Sequence, residues 1–301
     1  MAHPDLAALE QAARWSRVQI LRMLAHAGSG HPGGSLSVID LLTVLYFNRM
    51  RYDPARPHWE DRDRLILSKG HCVPAQYCCM ARAGFFPESR LVTLRKLGSP
   101  LQGHPDRVVL PGIEAATGSL GQGLSIAVGQ ALGLALDGRQ GRVYCVLGDG
   151  EIQEGQVWEA AMSAPRLGER GPRPSVDNLC AILDYNGIQL DDFVKTILDL
   201  EPLVDKWKAF GWAVLEIDGH DLDQIDKALD EAETIKGRPT FIVAHTVKGK
   251  GVSFMENDPE WHGKAPKPAE AVAGIREVLG GSAPPWAAAI IAELEQMEKK
   301  Q

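Results

Sequence analysis

Short apolar runs alternate with longer amphipathic stretches along most of this chain. Apolar residues recur at helical spacing from Leu6 to Leu24, which predicts a long first helix, and a glycine-rich loop at 28–34 separates it from a second helix ending near Phe47. Apolar runs predict buried strands at 65–67, 143–147, 179–183, 213–217 and 241–244. Helical stretches lie between most of them, at 120–136, 154–163, 200–210 and 222–235. This alternation predicts an α/β fold, a doubly wound and mainly parallel sheet with helices on both faces.

The residues that follow the predicted strands are polar and lie beside glycine. They are SKGH at 68–71, GDG at 148–150, DYNG at 184–187, DGHD at 218–221 and HTVKG at 245–249. Ligands of such folds bind at the carboxyl ends of the strands. Asp149 and Asn186 would share that edge, and their hard oxygens suit magnesium or calcium. A helix N-cap at Asp149 and an Asn-Gly turn at Asn186 are the alternatives.

Two further features of the loops point to an anionic ligand. The GSLGQG segment at 118–123 opens a small-residue helix, whose free N–H groups could hold a phosphate. Close helix packing on glycine is the alternative reading of that segment. Lys69 and Lys248 flank strand ends, where they would either pair with a phosphate or remain solvated at the surface.

Histidine is the residue type most often found in these loops. Five of the nine histidines lie next to glycine or one residue from it: His31, His71, His104, His220 and His262. Glycine lets a ligand or a backbone approach an imidazole closely. Several such histidines indicate a site that handles protons and hydroxyl groups near neutral pH.

Composition narrows the class of protein. The 301 residues are 45% hydrophobic and 24% charged, enough for one large or two ordinary domains. The net charge of -7 argues against nucleic acid or an anionic membrane as partner. Five cysteines without a C-x-x-C pair favour reduced thiols and a cytoplasmic location. The first residues lack a signal-peptide profile, and the apolar run at 38–47 is too short to span a bilayer.

Nine motifs identify a family. They occur in the order SGHPGG, LSKGH, QGHPD, ATGSLGQGLS, GDGEIQEGQVWEA, DYNGIQLD, IDGHD, VKGKG and WHGKAP. Over residues 10–265 the chain resembles the amino-terminal part of transketolase, the pyrophosphate-binding domain of a thiamine diphosphate enzyme. The resemblance implies that domain over 1–265 and a C-terminal helical extension of it over 266–301. It also implies transfer of a two-carbon ketol unit from a ketose phosphate to an aldose phosphate.

The resemblance also implies roles for individual residues. The implied ligands of a magnesium or calcium ion are Asp149, Asn186 and the backbone carbonyl of Ile188. The implied ligands of thiamine diphosphate are His71, Gly118, Ser119, Leu120, Gly150, Glu154, Asn186 and Lys248. The implied catalytic residues are His31, His71, His104 and His262. Glu154 corresponds to a buried acid that links the two cofactors of a family dimer.

The chain departs from the family pattern in its length. No second strand–helix series follows WHGKAP, where we expect a stretch interrupted by proline and glycine and then one final helix at about 285–299. The glutamate that activates the cofactor's aminopyrimidine should therefore lie on another polypeptide. We expect a natural amino-terminal subunit that pairs with a carboxy-terminal one as an α2β2 heterotetramer; a truncated chain is the alternative.

A second departure is an Arg, Gly and Pro-rich insertion at 163–177, between a helix and the next strand. That connection lies at the edge of a parallel sheet opposite the ligands, so we expect a surface loop or a partner contact.

Two other functions stay open from the sequence. The chain could keep the cofactor but use another acceptor, either a modified sugar or a carrier protein. It could also be a non-catalytic scaffold subunit with a degenerate site, against which the intact set of histidines, Asp149 and Asn186 argues.

Overall fold

One parallel sheet forms the centre of the molecule. The computed structural model describes residues 5–167 and 174–300. The strands are β1 (Arg64–Leu67), β2 (Val143–Gly148), β3 (Leu179–Tyr185), β4 (Ala213–Asp218) and β5 (Thr240–His245), in the order β1-β2-β3-β5-β4. All five predicted strands are confirmed. Because neighbouring strands are parallel throughout, their carboxyl ends meet at one edge.

Ten α-helices surround the sheet in the described ranges. They are α1 (Leu6–Ala27), α2 (Pro32–Val44), α3 (Val73–Ala83), α4 (Gln122–Leu136), α5 (Gly155–Ser163), α6 (Val194–Ile197), α7 (Leu203–Phe210), α8 (Leu222–Thr234), α9 (Pro268–Leu279) and α10 (Pro285–Glu298). None of them is long and apolar enough to cross a membrane.

The prediction of a single helix after WHGKAP is wrong, because α9 precedes α10. Pro268 occupies the first turn of α9, where its missing N–H breaks no helical hydrogen bond. The Glu270 side chain accepts a hydrogen bond from the Lys267 backbone N–H at 2.7 Å and closes that turn. The proline therefore begins a helix instead of interrupting one.

The two faces of the sheet pack against different helices, as predicted. Tyr144 and Val146 belong to a core that includes residues of α1, α2, α3, α8, α9 and α10. Val143, Cys145 and Leu147 alternate with them and belong to a second core with residues of α4, α5 and α7. Burial on both faces explains why these strands are almost continuously apolar.

The insertion predicted at 163–177 is described only at its two ends, since residues 168–173 lie outside the described residues. Ala164 and Val176 are buried, and Val176 lies just before β3, at the edge opposite the carboxyl ends of the strands.

The cysteines are all free thiols, and each is completely buried: Cys72, Cys78, Cys79, Cys145 and Cys180. Burial raises their pKa values, that of Cys72 to about 11 and that of Cys180 to about 12.

Candidate functional site

A cavity of about 390 Å³ opens at the carboxyl ends of β1, β2 and β3. Its size is that of an ordinary small-molecule site. The predicted site residues that line it are His31, His71, His104, Gly118, Leu120, Asp149, Gly150, Glu154, Asn186, Ile188, Lys248 and His262. Ser119, by contrast, is exposed and does not line the cavity.

Four of the five glycine-flanked histidines converge in this cavity. The ring centroid of His31 lies 5.1 Å from that of His71, 5.5 Å from that of His262 and 6.3 Å from that of His104. The His71 and His262 rings are 5.2 Å apart. His220 does not join them, because it turns away to contact Asp40.

The cavity keeps its histidines neutral near pH 7. Burial, assisted by Arg95, lowers the pKa of His31 to about 4, and burial with Lys248 lowers the pKa of His262 to about 3. Nδ1 of His31 is buried without a hydrogen-bond partner in the described part of the chain. An unsatisfied buried nitrogen is costly, so it marks a place where a ligand can bind.

Asp149 links the ends of two neighbouring strands. Its carboxylate accepts hydrogen bonds from the backbone N–H groups of Gly150 at 2.8 Å and Gly187 at 2.5 Å. It caps no helix, which removes the helix N-cap alternative. Burial raises the pKa of Asp149 to about 6, although nearby Lys69 opposes the shift. Gly150 allows this turn because a Cβ there would come within 2.7 Å of the Cβ of Gln189.

Asn186 and Ile188 place two more oxygen atoms beside Asp149. The Asn186 Oδ1 accepts a hydrogen bond from the Ile188 N–H at 3.2 Å, so the predicted Asn-Gly turn is present as well. The Ile188 carbonyl accepts one from Lys248 Nζ at 2.9 Å. One carboxylate, one amide and one carbonyl suit a magnesium or calcium ion that takes its other ligands from phosphate and water. The described residues hold no group of three His, Cys, Asp or Glu side chains that could form a metal site by themselves.

Lys248 contacts both a histidine and the oxygen set, by which we mean the side-chain oxygens of Asp149 and Asn186 and the carbonyl of Ile188. Its Nζ lies 2.7 Å from Nδ1 of His262, and the residue as a whole is almost completely buried. Burial, together with the charge of Lys69, lowers the pKa of Lys248 to about 8, so the ammonium keeps its charge at neutral pH.

Lys69 and Asp184 form a buried ion pair that sequence reasoning missed. Their Nζ and Oδ2 atoms are 2.5 Å apart, and their side chains are 2% and 0% exposed. Burial alone would lower the pKa of Lys69, but the Asp184 carboxylate raises it above its ordinary value. The interpretation of Lys69 as a solvated lysine is therefore wrong. The sequence signal for this pair was a lysine and an aspartate, each at the carboxyl end of a mainly apolar strand.

Glu151 is the second functional candidate that the sequence did not reveal. Its carboxylate accepts hydrogen bonds from the N–H groups of Gly121 and Gly148, both at 3.0 Å, and from the Ser68 hydroxyl. It thereby joins the GSLGQG segment to the end of β2. Glu154 lines the cavity but is exposed in the single chain, so the burial implied by the resemblance is absent here.

Comparison with known proteins places the chain in a family. Residues 9–300 match the thiamine diphosphate binding domain of transketolase. The chain belongs to the transketolase family as a thiamine diphosphate-binding amino-terminal part.

Two similar proteins are themselves named as subunits. The chain is 47% identical over 248 residues to the 6-deoxy-6-sulfo-D-fructose transketolase subunit SqwG of Clostridium sp. (strain MSTE9), covering 82% of this chain and 88% of that protein. It is 39% identical over 270 residues to an apulose-4-phosphate transketolase subunit of Phocaeicola vulgatus, covering 90% of this chain and 93% of that protein.

Solved structures of longer transketolases share the fold. The enzyme of Campylobacter jejuni superposes with a TM-score of 0.84 at 30% identity, covering 99% of this chain and 48% of that one. The chain thus spans about half the length of that enzyme.

Proposed function

We propose that the chain is the amino-terminal subunit of a split transketolase that transfers a two-carbon ketol unit only with a carboxy-terminal partner. The observation that carries the proposal is the convergence of four histidines, Asp149 and Lys248 on one cavity at the carboxyl edge of the sheet. A scaffold subunit would not need this set, because buried charges rarely stabilise a fold better than apolar side chains do.

The oxygen set would hold magnesium or calcium, and the metal would bind the diphosphate of thiamine diphosphate. When bound, the cofactor supplies the nucleophile and the electron sink for breaking a bond next to a carbonyl. Lys248 would neutralise part of the diphosphate charge, and the free N–H groups around Gly118 and Leu120 would contact the cofactor. The donor chemistry fits this group, since it offers hard oxygens for the metal and an ammonium for the phosphates.

The histidines would move protons at the sugar. His31 is neutral at pH 7 and its Nδ1 has no hydrogen-bond partner among the described residues, so a ring nitrogen of His31 can accept a proton from a sugar hydroxyl and return it. Lys248 can donate to Nδ1 of His262, so the proton of the neutral His262 ring is on Nε2, which would donate a hydrogen bond to the substrate. His104, at the exposed rim, would contact hydroxyl groups of the incoming sugar.

The names of two relatives support a substrate class. They refer to modified sugars, 6-deoxy-6-sulfo-D-fructose and apulose-4-phosphate. We propose that the donor is a ketose with a terminal anionic group. A 6-deoxy-6-sulfo ketose is preferred over a common ketose phosphate, because the relative named for 6-deoxy-6-sulfo-D-fructose shares 47% identity with this chain.

Activity with and without a partner tests the proposal. The chain is purified alone and with a co-expressed carboxy-terminal transketolase subunit, then supplied with thiamine diphosphate, magnesium and an aldose phosphate acceptor. Sulfofructose and xylulose 5-phosphate are compared as donors. Ketol transfer only in the presence of the partner supports a split enzyme, and the donor ratio ranks the substrates. A complex that binds the cofactor but transfers from neither donor contradicts the proposed activity.

Assembly is a separate part of the proposal. We expect two copies of each subunit, an α2β2 heterotetramer, in the reducing cytoplasm where the buried cysteines stay thiols. Native mass spectrometry of the co-expressed pair checks the stoichiometry, and a fully active one-to-one complex would contradict it.

A further inference from the structure

A buried polar network lies behind the loop that carries Lys248. Arg17 of α1 donates to both carboxylate oxygens of Asp40 on α2, at 2.9 and 2.6 Å. Oδ2 of Asp40 also lies 2.7 Å from Nδ1 of His220, in the loop after β4. Nε2 of His220 lies 2.8 Å from the backbone nitrogen of Val247, in the loop after β5. The network therefore connects two helices to the residue that precedes Lys248.

The hydrogen bonds fix the protonation of the His220 ring. The Val247 N–H can only donate, so Nε2 of His220 accepts and carries no proton. The proton of the neutral ring is then on Nδ1, where it is donated to Asp40. Asp40 thus sets both the tautomer and the orientation of the ring that holds Val247.

The loop is anchored on both sides of Lys248. The Val247 N–H is held by His220, the Gly249 N–H donates to the Gly33 carbonyl at 3.0 Å, and the Lys250 carbonyl accepts from Nε of Arg17 at 3.2 Å. The Lys248 side chain leaves this anchored backbone toward the cavity, where it contacts Ile188 and His262. The backbone around Lys248 is therefore held by His220, Gly33 and Arg17, and none of these three lines the cavity.

The network belongs to a different cavity. Arg17, Asp40, His220 and Lys250 line a cleft of about 520 Å³, and none of them lines the 390 Å³ cavity that holds the site. Arg17 and Asp40 are 8% and 5% exposed. A buried ion pair gives little stability that apolar side chains would not also give, so stability alone does not explain it.

We infer that His220, oriented by Asp40, is a positioning residue that sets the Lys248 ammonium for the diphosphate of the cofactor. The inference rests on the proposed function, because it requires thiamine diphosphate to bind beside Lys248.

Three variants of the full chain, co-expressed with its partner subunit, test this. His220→Leu removes the acceptor for Val247, and His220→Gln restores an acceptor at similar reach. His245→Gln is the matched control, since His245 is 53% exposed at the end of β5 and its imidazole lies 3.4 Å from Glu216. The measurements are thiamine diphosphate affinity by calorimetry with magnesium, melting temperature, and amide hydrogen exchange of the peptide spanning 246–250.

We expect His220→Leu to weaken cofactor affinity about 10-fold, the size of effect seen when a group that orients a ligand is removed. Exchange at 246–250 should rise in His220→Leu, His220→Gln should recover most of both losses, and His245→Gln should match the parent. Unchanged affinity in His220→Leu, or a loss that His220→Gln does not recover, would overturn the inference. A parent protein that binds no thiamine diphosphate would instead overturn the proposed function on which it rests.

Discussion

Two ion-paired groups lie at opposite edges of the same sheet. At the carboxyl edge, Lys69 and Asp184 pair inside the protein with side chains 2% and 0% exposed. At the amino edge, Arg139 pairs with Glu60 and Asp61, and the two acids are 72% and 53% exposed. The two acids of the group at the amino edge are thus solvated, whereas both charges of the pair at the carboxyl edge are removed from water.

The difference separates charges that water solvates from charges that only the protein surrounds. Exposed pairs contribute little to stability because water and salt screen them. Buried pairs must overcome a large desolvation penalty and often gain nothing over apolar packing. Under the proposed function, the buried charges at the edge where ligands of parallel sheets bind would serve an anionic ligand and its metal ion.

The largest expected effect concerns Asp149. Asp149→Ala removes the carboxylate of the proposed metal set, so magnesium-dependent binding of thiamine diphosphate and ketol transfer should fall by about 100-fold or more. Calorimetry and the transfer assay measure the two losses. Asp61→Ala, which removes an aspartate from the amino edge, serves as control and should leave both unchanged. Unchanged activity in Asp149→Ala would favour the scaffold alternative.

The next effect is on stability. Asp184→Ala leaves the Lys69 ammonium buried without its partner, and we expect the free energy of unfolding to fall by about 3–5 kcal/mol. Urea unfolding followed by circular dichroism measures the change. The double variant Lys69→Met with Asp184→Ala should regain much of the loss, because no unpaired charge remains. Equal loss in the single and double variants would mean that Asp184 acts through its hydrogen bonds to Ser37 and Thr246 or through packing, and not through the charge of Lys69.

A smaller effect is the pH dependence of cofactor affinity. Below about pH 6 Asp149 becomes protonated and cannot bind a cation, so affinity should fall with decreasing pH. Above about pH 8 Lys248 loses its charge and its attraction to phosphate, so affinity should also fall with increasing pH. On each limb the affinity for the cofactor should fall by up to about tenfold per pH unit, because one proton is linked to the contact that is lost.

Calorimetric titrations from pH 5 to 9 would trace both limbs. Lys248→Gln should abolish the alkaline limb and keep the acidic one. An alkaline limb that persists in Lys248→Gln would show that another group titrates there.

The smallest expected effect lies at the amino edge. Arg139→Ala should leave the melting temperature, cofactor affinity and transfer rate equal to those of the parent, because its partners are solvated. Thermal melts at low and high salt check this. A fall in melting temperature comparable to that of Asp184→Ala would remove the contrast between the two edges.

The sequence predicts the sheet well for a physical reason. Strands buried on both faces need continuous apolar runs, and those runs are visible at β1, β2, β3 and β5 without further information. Polar residues directly after such runs must lie at the carboxyl edge, which is why the amino-acid sequence alone places Asp149 and Asn186 there, after β2 and β3, which are neighbours in the sheet.

Long-range packing accounts for what the sequence could not predict. Nothing local distinguishes His220, which faces Asp40, from His71, which faces the cavity, since both follow a strand and touch glycine. The burial of Lys69 depends on Asp184, which lies 115 positions away in the chain. The sequence did not predict α9 because a proline in the first turn of a helix cannot be told from a proline that interrupts a helix by the residues around it.

The buried cysteines make the chain convenient for site-specific labelling. Maleimide reagents attack the thiolate, and burial both shields these five sulfurs and keeps them protonated near neutral pH. A cysteine introduced by Leu97→Cys, at a fully exposed position on the loop before His104, would be the preferred target of a fluorophore. Such labelling would not require prior removal of the native thiols.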